Sequence, residues 1–101
     1  MGRRREMIGA EACNASEHSL RVQLAEQVNN LIAARNVSQT KAAIMLDTAQ
    51  PHISELKNYK LDRFTSARLL RYLTLLDCDI DIVIRRKGRG RMVGAVRVSF
   101  A

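Results

Sequence analysis

The chain has 101 residues, about one domain's worth and enough for a single modest core of a few helices. Aromatics make up only 4% of it, so that core must be built from Leu, Ile, Val, Ala and Met. A net charge of +7 favours a polyanionic partner, and no apolar run approaches the ~20 residues that cross a bilayer.

Where the charge sits is more informative than its total. Residues 1–20 sum to zero, residues 21–76 carry eight Lys/Arg against four Asp/Glu, and Asp77, Asp79 and Asp81 form an acidic cluster. From Arg85 to Ala101 there are six basic residues and no acid. The two cysteines, Cys13 and Cys78, stand in unrelated contexts without metal-ligand spacing, so free thiols in a reducing cytoplasm are expected. Arg3-Arg4-Arg5 is not followed by an apolar stretch of secretory-signal length. A cytoplasmic protein without a membrane partner is the expectation.

Residues 1–15 show no sustained periodicity and read as a flexible N-terminal arm. Leu20, Leu24, Val28, Leu31 and Ile32 then share one face of a helix from about Ser16 to Arg35, with Arg21, Glu26 and Asn30 toward water. Asn36-Val37-Ser38 breaks it, and Ser38 is a good cap for a second helix over about Gln39 to Leu46 that turns Ala42, Ala43 and Leu46 inward. After Asp47-Thr48 a third helix is predicted from about Gln50 to Lys57, with Pro51 in its first turn and Ile53 and Leu56 on its inner face. Leu61 to Phe64 reads as a loop or irregular turn. Thr65 caps a fourth helix, with Phe64 and Leu69 placed as a hydrophobic staple and Leu70, Leu73 and Leu76 continuing the stripe. Beyond Asp77 the period changes to two: Ile80, Ile82 and Ile84 alternate, Gly88-Arg89-Gly90 makes a turn, and Val96, Val98 and Phe100 alternate again. That pattern predicts a β-hairpin.

Two short helices around a tight turn, the first Ala-rich and the second polar outside, describe a helix-turn-helix. In that motif the first helix braces across the phosphate backbone while the second puts its N-terminal side chains into the major groove. The run Val37 to Leu46 followed by Gln50-Pro51-His52-Ile53-Ser54-Glu55-Leu56 resembles the Cro/repressor-like (Xre) family. Gln50-Pro51, Ile53-Ser54, Lys60, the Arg63-Phe64-Thr65 junction and a following strand resemble its HigA-type antitoxin branch. The likeness covers about Leu20 to Lys87. It implies a mainly α fold: a four to five helix bundle of the lambda-repressor-like type, followed by a C-terminal β-strand or hairpin. Residues 16–78 would form the DNA-binding domain and residues 79–101 a possible dimerisation element. Three positions depart from the family pattern. Asp47 and Tyr59 stand where glycine is usual, and Ala49 replaces a Ser or Thr cap, leaving Thr48 to cap one residue early.

The resemblance and the layout together nominate DNA-contacting residues. Gln50, beside Pro51, is a candidate to bond N7 and N6 of an adenine or a phosphate, the other reading being a surface polar residue, and Gln39, next to Thr40, resembles a position that bonds a phosphate. His52 has two readings, a contact to a base edge or phosphate and a plain surface histidine. Ser54 and Glu55 lie on the same exposed side, where Glu55 either accepts from cytosine N4 or repels phosphates. Lys57, Asn58 and Lys60 would lie near the backbone or form a solvated run. The basic hairpin either grips DNA outside the groove or pairs with a second subunit; Ile80, Ile82 and Ile84 are the candidates for a dimer contact.

The expected function is a repressor that binds a palindromic operator in double-stranded DNA as a homodimer, nucleoid-associated in a prokaryote. The HigA-type likeness implies an antitoxin with a RelE/HigB-like toxin as partner. The competing readings are a protein-binding module that has lost DNA binding, and an enzyme. For the enzyme, His18 and His52 lie on different helices without a nucleophile-base set, and there is neither a Gly-rich phosphate loop nor a metal cluster in the sequence. No cofactor is expected.

Overall fold

A computed structural model describes the backbone of residues 2–100 and the side chains of residues 17–100. Cys13 and the Arg3–Arg5 run therefore have side chains outside the described set. Four helices follow in order: α1 (Gly2–Arg35), α2 (Gln39–Met45), α3 (Gln50–Lys57) and α4 (Ser66–Leu75). The first begins at Gly2 rather than Ser16. The stretch expected as an arm has helical backbone, for which its Ala, Glu, Arg and Met content and lack of proline are suited. What it lacks is an apolar stripe, the signal on which the sequence reading relied.

One core joins all four helices. Leu24, Ala25 and Val28 of α1 meet Ala42, Ala43 and Leu46, then Ile53 and Leu56, and finally Leu69, Tyr72, Leu73 and Leu76. Leu61 and Phe64, from the loop before α4, are buried in the same cluster. α1 packs on α4 and α3, and α2 packs on α3. Because Ala42 and Ala43 carry only methyl groups, α2 can lie close against its neighbours. Arg21, expected in water, is half-buried, and its Nε is buried without a partner among the described residues.

The helix ends follow from local chemistry. Ser38 Oγ accepts from the Lys41 N–H (3.1 Å) and Thr65 Oγ1 from the Arg68 N–H (3.1 Å), each satisfying a donor that the helix leaves unpaired. Asn36, Asp47, Tyr59 and Asp77 all have positive φ. After α2, the Asp47 N–H donates to Ile44 O and the Thr48 N–H to Ala43 O; after α3, Tyr59 donates to Leu56 O and Lys60 to Glu55 O. Both are Schellman closures built without glycine. Asp77 and Cys78 repeat the arrangement after α4, where Arg35 also bonds Leu76 O and the Asp77 carboxylate (2.9 Å).

The expected C-terminal β-strand or hairpin is absent: among the described residues there is no strand. A turn does form at Arg89-Gly90, where Gly90 has φ +87, but its flanks do not pair. A lone two-stranded ribbon is marginal in water, and the charged residues that border this turn, Arg85, Arg86, Lys87 and Arg91, are all basic. The segment instead lies over α1. Gln23 Oε1 accepts from the Val98 N–H (2.8 Å), and Gln23 Nε2 donates to Val96 O (3.4 Å). A side-chain amide thus takes the place of a partner strand.

Candidate nucleic-acid interface

α2 and α3 form the predicted helix-turn-helix, and α3 has its predicted bounds. Its first turn has no side-chain cap, because Ala49 offers no oxygen and Thr48 is engaged elsewhere. Pro51 sits where a missing N–H costs nothing. The positive end of the α3 dipole therefore remains open to an anion.

Gln39 and Gln50 come together there. The Gln50 side chain donates from Nε2 to Gln39 Oε1, linking the starts of α2 and α3. Gln50 is exposed, Gln39 half-buried, and Thr40 and Lys41 are exposed beside them. The pair leaves Gln50 with a free Oε1 and a second N–H, the donor-acceptor set that an adenine edge requires. Gln39 keeps its own amide N–H groups for an anionic oxygen.

Farther along α3, Ser54 and Glu55 are half-buried, while Lys57, Asn58 and Lys60 are exposed. Asn58 folds back on its own helix, donating from Nδ2 to Ser54 O (3.0 Å), so one of its donors is already occupied. Inside, Asn29 Nδ2 donates to Leu56 O (3.0 Å) and anchors the end of α3 to α1. Arg21, Glu55, Lys60 and Arg63 border an open cavity of ≈ 530 Å³ at this end.

His52 does not lie free on the surface. It is half-buried, with its ring nearly perpendicular to that of Phe64, and its Nδ1 is 2.8 Å from Thr48 Oγ1 and 3.1 Å from Arg68 Nη2. From the sequence Thr48 was expected only as a cap, and Arg68 was missed. The available signals were the four-residue spacings Thr48–His52 and Arg68–Tyr72, each one turn of helix. Ile80, Ile82 and Ile84 stand apart from the helix-turn-helix. Ile80 packs partly on the core, whereas Ile82 and Ile84 are 75% and 91% exposed.

This arrangement matches known proteins. A family model described as a helix-turn-helix domain matches residues 10–85. A solved structure named "Putative XRE Family Transcriptional Regulator" superposes with a TM-score of 0.82 at 40% identity, covering 87% of this chain and 99% of that one. The chain belongs to the XRE family of helix-turn-helix proteins. Comparison with curated proteins gives no match. Within this XRE protein the family motif takes in all of α2, α3 and α4. Among its described residues no helix is long and apolar enough to cross a membrane.

Proposed function

We propose that this XRE protein is a sequence-specific DNA-binding transcriptional regulator that represses from a palindromic operator as a homodimer. The observation that carries this reading is the Gln39–Gln50 pair at the joined starts of α2 and α3. It presents a fixed amide for base readout beside an uncapped helix N-terminus suited to a phosphate. Thr40, Pro51, His52 and Ser54 flank the reading edge, and Glu55 restricts the bases tolerated next to it. Lys57 and Lys60, with Asn58 between them, hold the backbone and set the salt dependence. Such a protein works in the cytoplasm of a prokaryote, at the nucleoid.

The second subunit docks on the segment containing Ile80, Ile82 and Ile84. The support is the exposure of three large apolar side chains in this segment, Ile82, Ile84 and Met92. The same exposure favours a protein partner, and with the HigA-type likeness it supports an antitoxin role toward a RelE/HigB-like ribonuclease. Selection from random duplexes at two salt concentrations, with the oligomeric state measured by sedimentation, tests the proposal. A two-fold symmetric site bound by a dimer is expected. Weak, sequence-blind binding would favour a protein-binding module on the same fold.

A further inference from the structure

We infer that His52 is locked as its neutral Nε2–H tautomer by Arg68 and Thr48, and that this outward N–H donates to an acceptor on the bound DNA. The inference rests on the DNA-binding reading and specifies its chemistry.

The lock follows from which groups can donate. Arginine has no acceptor, so the 3.1 Å contact from Arg68 Nη2 is a hydrogen bond only if Nδ1 presents its lone pair. Thr48 Oγ1 accepts from Nη2 (3.2 Å) and lies 2.8 Å from Nδ1, so with that lone pair presented the Thr48 hydroxyl proton donates to Nδ1 as well. An Nδ1–H would instead face an arginine N–H head-on. Arg68 cannot turn away to relieve this. Its Nε donates to Tyr72 Oη (2.6 Å), its Nη1 to Arg63 O (3.4 Å), and its Cζ lies 4.9 Å from the centre of the Phe64 ring. The fully buried Phe64 and nearly buried Tyr72 fix that scaffold in the core.

With Nδ1 acting as acceptor, the proton belongs on Nε2. Nε2 bonds nothing among the described residues and is not among their buried unpartnered atoms. His52 occupies the first turn of α3, two residues after Gln50. A single oriented donor there suits a phosphate oxygen or N7 of guanine, and it cannot serve a donor such as the cytosine amino group. Arg68 makes no contact with DNA in this account. It is a positioning residue that ties α4 to the start of the recognition helix.

The test has two independent parts. Long-range proton–nitrogen NMR on the free full-length protein at pH 8 should show His52 with its proton on Nε2, and Arg68→Met should shift it toward a tautomer mixture. On the selected duplex, His52→Ala should weaken binding about tenfold, equivalent to ~1.4 kcal/mol. His52→Gln, which keeps an N–H donor at similar reach, should retain most of the affinity. A matching loss with 7-deazaguanine in the site identifies a base acceptor; a loss with a single methylphosphonate identifies a phosphate. Either supports the inference, whereas indifference to every such change overturns it. An Nδ1–H spectrum in the wild type, or unchanged affinity in His52→Ala, also overturns it. If Arg68→Met does not fold, the wild-type spectrum and the two His52 variants decide. Failure of the wild type to select any duplex would refute DNA reading itself, and the role of the donor with it, whatever the spectrum shows.

Discussion

Asp47 allows the backbone account of the turn to be tested apart from its charge. It closes α2 in the left-handed region (φ +53), exposed and without an ion pair among the described residues. For an ordinary L-residue that conformation costs ~1–2 kcal/mol, and Asp tolerates it better than most. Glycine removes this cost but loses ~0.5–1 kcal/mol of chain entropy on folding. Removing a carboxylate from a helix C-terminus returns ~0.3–1 kcal/mol. Asp47→Gly is therefore expected to stabilise by about 0.5–1 kcal/mol, worth ~2–8 °C in Tm for a domain of this size. Asp47→Ala removes the same charge but keeps a Cβ, so it should fall below Asp47→Gly by ~1 kcal/mol. Urea unfolding of the three proteins at equal m-value measures this directly. If Asp47→Ala matched or exceeded Asp47→Gly, the left-handed closure of the turn would be wrong.

Other expectations concern the remaining joints. Ser38→Ala and Thr65→Ala should each lose ~1 kcal/mol in the same assay, since each removes the oxygen that satisfies a first-turn N–H; a loss of only a few tenths would show that water replaces the cap. Leu56, fully buried on the inner face of α3, should cost ~2–5 kcal/mol as Leu56→Ala, and calorimetry that found less than 1 kcal/mol would contradict its place in the core. Gln23→Ala removes both amide bonds to the C-terminal segment, so trypsin should cut at Arg97 faster than in the wild type. Unchanged cleavage would mean that packing of Val98 alone holds that segment.

Much of the helical half was legible because its signals are local. Ser38 and Thr65 announced helix starts by their chemistry, and Ala42, Ala43, Leu46, Ile53 and Leu56 announced the core by their spacing. Gln39 and Gln50 could be nominated one at a time, but their mutual bond joins residues eleven apart and needed the turn geometry. The His52 environment was less visible still, since Arg68 reaches it from another helix. The C-terminal error has a different origin. Alternating Ile80, Ile82 and Ile84 resemble a strand by period, yet a strand needs a partner backbone, and here Gln23 supplies hydrogen bonds only to the far leg at Val96 and Val98. At the N-terminus, periodicity failed in the other direction, because a helix without an apolar stripe carries no such signal.

The most direct measurement is affinity for the selected operator and for each of its single-base-pair variants, with wild type, Gln50→Ala and Lys57→Ala compared. Gln50→Ala should lose ~1–3 kcal/mol of discrimination at one base pair and little elsewhere. Lys57→Ala should weaken all variants alike and lower the salt slope by about one. A Gln50→Ala protein with undiminished preference at every position would contradict the claim that α3 reads DNA through this side chain.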